Sequence, residues 1–249
     1  TKRVGNILPD KKYTEMTIQR ILEKSHNLGT VKVAENIENE DFYHTWDMLG
    51  FGRSLGVMRR AENPGILRHF SDWGLADKRS LSFWHGPMNA NLAQLARAYL
   101  VFANEGAMPS LKLFKNDSTP NNLQQIFTPE STKRIAEILD SVASDNGSGY
   151  RAVINGYSVA GKTGTAEMVI DGKYSKDGAK RTYFIGFSPA KNPKYIMAVR
   201  LDYPKKCFVS WDPTMRNRCE GSNSASIAFQ KAMKRILIND PEIKSKFEG

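Results

Sequence analysis

The sequence has few residues that could bind a metal or form disulfides, and no long apolar run that could span a membrane. Its 249 residues contain no run of about 18 apolar residues, so no segment is predicted to cross a bilayer. The four histidines are isolated from one another and the two cysteines have no partner at zinc spacing, so we expect no metal and no cofactor. A start methionine and a signal-like N-terminus are also absent. We therefore expect a fragment of a longer chain, with any export signal or membrane anchor upstream.

The composition is that of an ordinary globular protein with an excess of basic residues. Hydrophobic residues make up 40% and charged residues 25%, which suits one large domain or two small ones. The net charge of +10 favours an anionic partner, but the basic residues are spread along the chain and no nucleic-acid motif accompanies them. We expect a solvated basic surface and no nucleic acid. Cys207 and Cys219 could form a local disulfide if the protein is exported.

Four stretches have the apolar spacing of helices. The cap candidates are Thr14 or Thr17 for the first, Asn89 or Asn91 for the second, Thr128 for the third, and Ser222 or Ser224 for the last. The predicted helices are "TEMTIQRILEK" (14–24), "NANLAQLARAYLVFAN" (89–104), "TPESTKRIAEILDSVAS" (128–144) and "SASIAFQKAMKRILI" (224–238). Residues 46–57 are interpreted as a loop, and residues 59–78 as irregular.

Between the last two helices the pattern changes to β-branched and aromatic runs. The three runs are "YRAVINGYSVAGKTGTAEMVIDGKY" (150–174), "TYFIGFSPA" (182–190) and "KYIMAVRLDYP" (194–204). Turn signals at Asp171-Gly172, Asp177-Gly178 and Asn192-Pro193 predict consecutive antiparallel strands. The fold class is therefore α+β, with an antiparallel sheet and helices on both of its sides.

Lys162 belongs to two motif descriptions that exclude each other. From Gly156 the sequence reads G-x-x-x-x-G-K-T, a phosphate-binding loop, which requires a helix to begin at the Lys-Thr pair. Gly164 and the nearby hairpin signal leave little room for such a helix. The alternative is K-T-G-T on a strand, as in penicillin-recognising serine acyltransferases. Alternation then puts Lys162 and Gly164 on one face and Thr163 and Thr165 on the other, and we favour this second interpretation.

A wider set of segments supports that choice. These are "ILEKSHNLGTVKVA", "LSFWHGPMNANLAQLARAYLVFANEG", "GYSVAGKTGTAEM", "TYFIGFSPAKNPKYIMAV" and the closing helix. In order and spacing they resemble the transpeptidase domain of monofunctional (class B) penicillin-binding proteins, nearest the cell-division (septal) type. The segment "SFWHG" departs from the family's Ser-Phe-Gly-Tyr-Gly-like pattern at Trp84 and His85. The resemblance implies that Ser80, Ser82 and Trp84 lie near the cleft, whereas the aromatic side chains alone favour packing of Phe83 and Trp84 in the core; we favour the core and leave the alternative open.

The resemblance implies a role for six residues. The family's K-T-G element matches Lys162, Thr163 and Gly164, and its S-x-N element matches Ser25 and Asn27, because the Ser144-Asp145-Asn146 triplet lies too near Lys162. Ser25 would relay a proton to the leaving amine, and Asn27 would hold the substrate amide and the general base. Lys162 would supply positive charge. The Thr163 and Thr165 hydroxyls would bind a carboxylate, and the Thr165 N–H would form half of an oxyanion hole.

One element of the family is missing. In the family, the nucleophile and the base form an S-x-x-K element that precedes S-x-N. The separation between these two elements is larger than the 24 residues that precede Ser25 here. The only S-x-x-K is Ser188-Pro189-Ala190-Lys191, which is interpreted as a turn. We therefore expect residues 1–249 to be the C-terminal part of a transpeptidase domain whose S-x-x-K segment and membrane anchor lie upstream.

The function that the resemblance implies is peptidoglycan D,D-transpeptidation. Its partners would be peptidoglycan stem peptides, β-lactam antibiotics and divisome membrane proteins, including a lipid II glycosyltransferase. The location would be the inner membrane, with the catalytic domain in the periplasm. Four alternatives stay open: an elongation-type transpeptidase, a β-lactamase, a non-catalytic β-lactam sensor, and a pseudoenzyme.

Overall fold

The structure, a computed structural model, describes residues 15–56, 62–86, 88–116, 118, 120–170, 172–175, 179–205, 207 and 219–243. The chain divides into two compact units, Thr1–Lys133 and Arg134–Gly249. Among the described residues, none of the helices has the length and apolarity that a membrane span requires. No group of three or more His, Cys, Asp or Glu side chains in this part of the chain could hold a metal ion.

The first unit is mainly helical. Its helices are α1 (Ile18–Lys24), α2 (Asn27–Ala34), α3 (Asn39–Met48), α4 (Leu75–Leu81), α5 (Leu92–Ala98) and α6 (Leu100–Ala103). Two short strands, β1 (Ala107–Met108) and β2 (Gln124–Gln125), pair antiparallel after them. Helix α7 (Pro129–Val142) begins in this unit and continues into the second. Thr17 caps α1 by accepting the Arg20 N–H, as one of the two predicted candidates would, whereas Thr14 lies outside the described residues.

An aromatic core holds this unit together and corrects two loop predictions. Trp46, Phe51, Trp73 and Leu81 are buried. Trp46 lies on α3, whose residues 46–48 fall in the predicted loop, and Leu81 lies on α4, which begins inside the stretch predicted as irregular and ends beyond it. Both helices are short and carry their large side chains without a long apolar repeat, so burial rather than periodicity stabilises them.

The predicted helix 89–104 is two helices in the structure. Helix α5 ends at Ala98 and α6 begins at Leu100, with Tyr99 between them. Asn91 is the cap, and it forms a capping box with Gln94. Gln94 is fully buried, and the two protons of its amide nitrogen are shared among three carbonyls, those of Gly50, Arg53 and Pro64, at 2.8–3.1 Å. A polar residue thus occupies the centre of this packing, where an apolar face was expected.

The second unit is a sheet with one long helix on it. Its elements are α7, β3 (Ala160–Glu167), β4 (Val169–Ile170), β5 (Lys173–Tyr174), β6 (Lys180–Ser188), β7 (Tyr195–Asp202) and α8 (Ala225–Ile238). Strands β3, β6 and β7 form an antiparallel sheet in that order, and β4 pairs with β5. This confirms the predicted antiparallel strands. Residue 171 and residues 176–178, which belong to two of the predicted turns, lie outside the described residues.

Helix α8 packs on one face of the sheet and defines its core side. Phe184 of β6 and Phe229 of α8 are fully buried, with ring centroids 4.6 Å apart. Two glycines flank this contact: a Cβ on Gly161 or on Gly186 would lie 2.7–2.8 Å from the Phe184 ring. Ser224 stands at the N-cap position of α8, but its hydroxyl does not cap the helix.

Candidate active site

The K-T-G-T segment lies in the middle of β3. Lys162 pairs with Ile185, Thr163 with Phe184, Gly164 with Tyr183 and Thr165 with Thr182, all on β6. A strand at these residues contradicts the phosphate-loop interpretation, which needs a helix to begin there. Among the described residues, no strand pairs with the other side of β3. Every second residue of an edge strand turns its N–H and C=O away from the sheet, where a ligand can reach them.

The surroundings of Lys162 lower the pKa of its side chain. Its Nζ lies 3.2 Å from the Thr163 carbonyl oxygen, to which it donates, and 3.5 Å from Thr163 Oγ1. Burial disfavours the charged ammonium and lowers the pKa of Lys162 from its ordinary value to about 8. At neutral pH the side chain is still mostly protonated, so it can attract an anion, and it can also pass a proton at modest free-energy cost.

The two threonine hydroxyls each have a fixed neighbour. Thr163 Oγ1 donates to Ser148 Oγ at 3.3 Å, in the turn region after α7. Thr165 Oγ1 accepts the Gly221 N–H at 2.9 Å. Because that N–H occupies one oxygen lone pair, the Thr165 hydroxyl proton can be donated to another acceptor. Both side chains lie on the face that carries Phe184, as the period of the strand predicts.

Gly164 lies at the centre of the motif, where there is little space for a side chain next to β6. A Cβ there would lie 3.3 Å from Tyr183 Cβ, closer than ordinary side-chain contact. Any larger residue would therefore push against Tyr183 of β6. That glycine also leaves room for a ligand beside the strand stays a prediction.

Ser25 and Asn27 occupy the tight junction between α1 and α2. Ser25 ends α1 in the left-handed conformation, with φ 52° and ψ 49°, and is exposed. A non-glycine residue with positive φ is uncommon and is found most often in turns and at functional sites. Asn27 is the first residue of α2. The turn therefore presents the serine at the end of one helix and the asparagine at the start of the next.

His26, between them, has a structural role in the described geometry. It is the N-cap of α2, and its Nδ1 accepts the Gly29 N–H at 3.0 Å. Gly29 is also where the two helices approach, because a Cβ there would lie 2.7 Å from Ile21 Cγ1. The sequence offered no role for this histidine; the structure assigns it to the cap.

Two alternative motifs lie at the ends of other elements. Ser144-Asp145-Asn146 lies in the turn that follows α7, which ends at Val142, two residues before the predicted end. Ser188 is fully buried at the end of β6, and its hydroxyl donates to the Ser158 carbonyl oxygen at 2.8 Å. A nucleophile must reach its substrate, so the only S-x-x-K of the sequence cannot supply one.

Sequence reasoning missed Gly221 and Ser148, and core packing, the alternative it favoured for Trp84, holds only in part. The first two contact the motif threonines from segments that no short motif marks. Trp84, expected in the core, is 44% exposed and has a φ of 62°. Its ring lies at the margin of the aromatic core, with centroids 4.9 Å from Phe51 and 5.8 Å from Trp46.

Comparisons with known proteins agree with these features. The penicillin-binding protein transpeptidase domain family matches residues 3–233. The peptidoglycan D,D-transpeptidase FtsI of Escherichia coli K12 is 30% identical over 195 residues, which is 78% of this chain and 32% of that protein. FtsI of Buchnera aphidicola is 31% identical over 242 residues, or 93% of this chain and 39% of that protein.

A solved structure has the same fold. The apo transpeptidase domain of Burkholderia pseudomallei penicillin-binding protein 3 superposes with a TM-score of 0.77 at 27% identity, over 92% of this chain and 66% of that one. The chain spans about a third of the length of most of the curated relatives it matches. With the K-T-G-T strand and the match over residues 3–233, the chain belongs to the penicillin-binding protein transpeptidase domain family.

Proposed function

We propose that the protein to which this chain belongs is a peptidoglycan D,D-transpeptidase that works through a serine acyl-enzyme and is inhibited by β-lactams. The observation that carries the proposal is the edge strand β3, which combines an ammonium of lowered pKa with two hydroxyls. Lys162 and Thr165 offer positive charge and a hydroxyl proton to one carboxylate, and Thr163 adds a second donor when its proton turns from Ser148 to the ligand. A D-Ala-D-Ala stem peptide ends in such a carboxylate, and a penicillin carries one in the corresponding place.

The proposed reaction has two steps. The serine of the family's S-x-x-K attacks the carbonyl carbon between the two D-alanines, the amide C–N bond breaks, and the terminal D-alanine leaves as its amine accepts a proton. An amine of a neighbouring stem peptide then attacks the ester, which frees the serine and forms the cross-link. Ser25 relays the proton to the leaving amine, and Asn27 holds the substrate amide and the general base.

The residues of β3 bind and stabilise in this scheme. The Lys162 ammonium and the two threonine hydroxyls hold the terminal carboxylate, and Gly164 leaves room for the peptide beside the strand. The Thr165 N–H forms half of the oxyanion hole. One donor of this kind contributes about 3 kcal/mol to the stability of the transition state.

The nucleophile belongs to a different part of the protein. We infer that residues 1–249 are the C-terminal part of the transpeptidase domain and that the S-x-x-K segment and a membrane anchor lie upstream. Two observations support this: the burial of Ser188 removes the chain's own S-x-x-K, and the solved transpeptidase domain is matched over 66% of its length.

The relatives' names support a proposal for the cellular setting. Two of them are FtsI proteins, which favours a septal enzyme over an elongation enzyme. We propose action at the inner membrane with the catalytic domain in the periplasm. The partners would be divisome membrane proteins, among them a lipid II glycosyltransferase that polymerises the glycan strands to be cross-linked.

Covalent labelling of the full-length protein with a fluorescent penicillin tests the proposed chemistry. Intact mass and peptide mapping should find one adduct on a serine of an S-x-x-K segment, and Lys162→Ala should abolish or strongly slow its formation. Lys191→Ala is the matched control, because Lys191 is exposed and follows the buried Ser188. It should label as the parent does.

The other outcomes separate the alternatives. No adduct on a folded full-length protein indicates a pseudoenzyme. An adduct that is released within seconds with hydrolysis of the penicillin indicates a β-lactamase. A stable adduct without cross-linking of stem peptides in a transpeptidation assay indicates a β-lactam sensor.

A further inference from the structure

A short segment after β7 lies directly on the K-T-G-T strand. We name residues 219–226 the clamp segment. Its Gly221 N–H donates to Thr165 Oγ1 at 2.9 Å. Its Ser224 Oγ donates to Thr182 Oγ1 at 2.9 Å, and Thr182 is the residue of β6 opposite Thr165. The clamp segment therefore contacts the two strands at the same level, at the last residue of the motif.

The approach of Gly221 is close enough to exclude any side chain. A Cβ on Gly221 would lie 2.6 Å from the Gly164 carbonyl oxygen, 2.7 Å from that of Tyr183 and 3.0 Å from the Gly164 nitrogen. All three atoms belong to the backbone, so they cannot move aside as the end of a side chain can. Displacement of the clamp segment would therefore change the surroundings of Gly164 and Thr165 directly.

The Cys207–Cys219 disulfide anchors the start of the clamp segment. Cys219 is buried, with 3% of its surface exposed, and lies two residues before Gly221. Hydrogen bonds within the segment complete its shape. The Glu220 N–H donates to Asn223 Oδ1 at 2.6 Å, and Ser226 Oγ donates to the Gly221 carbonyl oxygen at 2.8 Å.

We propose that Gly221 is a positioning residue for carboxylate binding and that the Cys207–Cys219 disulfide holds it in place. The proposal rests on the proposed function. The Thr165 hydroxyl oxygen accepts a hydrogen bond from the Gly221 N–H, which fixes the orientation of the hydroxyl. Its proton then points toward the substrate carboxylate. A clamp segment released from Cys207 lets the Thr165 hydroxyl rotate or accept a hydrogen bond from another donor. The carboxylate then loses a preorganised donor, while the bond-making steps keep their residues.

The test separates binding from chemistry in the full-length protein. Acylation by a fluorescent penicillin is followed at several concentrations, which gives the dissociation constant of the first complex and the acylation rate constant. Cys207→Ala/Cys219→Ala should weaken binding about tenfold, as expected for one lost hydrogen bond to a charged group, with the rate constant unchanged. The methyl ester of the same penicillin, which has no carboxylate, should bind the parent and the variant equally.

A double-mutant comparison asks whether the effect passes through Thr165. Thr165→Val removes the hydroxyl at nearly constant size and should weaken binding of the penicillin on its own. With Thr165→Val present, loss of the disulfide should have no further effect, because the donor it positions is gone. Thr165→Ser, which restores a hydroxyl, should restore most of the sensitivity to the disulfide.

Several results would overturn the proposal. They are additive effects of the two changes, an equal loss of binding for the ester, and a fall confined to the acylation rate constant. If the variant without the disulfide does not fold, Gly221→Ala tests the same coupling with the disulfide intact. Its added Cβ must push the clamp segment off β3. A parent protein that no penicillin labels would instead refute the proposed function.

Discussion

Lys162 should make carboxylate binding sensitive to pH in a range where an ordinary lysine would not. Burial lowers its pKa to about 8, so the ammonium is lost as the pH rises through that value. The side chain is about 90% protonated at pH 7 and about 10% at pH 9, given a pKa of this size. A solvated lysine, with a pKa of about 10.4, would still be almost fully charged at pH 9.

The expected effect is a fall of about tenfold in the affinity for a carboxylate ligand between pH 7 and pH 9, because only the protonated form attracts the anion. The full-length protein is mixed with a fluorescent penicillin at each pH, and the dissociation constant of the first complex is obtained from the concentration dependence of acylation. A lysine NMR titration of the same protein should give a side-chain midpoint near pH 8.

Two comparisons make this prediction specific to Lys162. Lys162→Arg keeps a positive charge throughout the range, so its affinity, although lower because the guanidinium has a different shape, should not depend on pH between 7 and 9. The penicillin methyl ester should also show no dependence. A change of less than twofold in the parent, or the same decline in Lys162→Arg, would show that the lysine does not titrate as its burial requires.

Three further predictions concern the surroundings of the site. His26→Ala should lower the stability of the protein by about 1 kcal/mol through loss of the α2 cap, whereas His26→Asn should not, and urea unfolding with acylation rates distinguishes a cap from a catalytic group. Reduction of Cys207–Cys219, which closes a loop with a separation of 12 residues, should lower the unfolding free energy by about 3 kcal/mol; an unchanged urea midpoint would contradict this. Trp84 has positive φ, so Trp84→Gly should be more stable than Trp84→Ala by about 1 kcal/mol in thermal unfolding, and equal stabilities would mean that the backbone relaxes.

Features that depend on residues close in sequence were predictable. The apolar repeat of α7, its Thr128 cap and its Pro129 start lie within one run of the chain, and the structure places α7 at Pro129–Val142. The K-T-G-T strand was predictable for the same reason. A strand period and a nearby hairpin signal exclude the helix that a phosphate loop would need.

Features that depend on distant partners were not predictable. The burial of Gln94 depends on the carbonyls of Gly50, Arg53 and Pro64, which lie 30 to 44 residues away in sequence. Periodicity treats a glutamine as a surface residue, because nothing local indicates that three unpaired carbonyls need its amide. The same limit explains why α3 and α4, whose cores are shared aromatic side chains, were missed.

The surroundings of Thr165 combine both cases. Its place in the motif is local, but the donor to its hydroxyl comes from Gly221, 56 residues further along the chain. Cysteine spacing left the disulfide open, since two cysteines a dozen residues apart meet only if the chain between them turns back; the structure brings their Cα atoms to 5.3 Å. The hydroxyl therefore contacts a glycine, a residue type that is common in turns, two residues after a disulfide that spacing could not decide. The motif names the group that binds, but the direction in which that group donates is decided by a segment outside the motif.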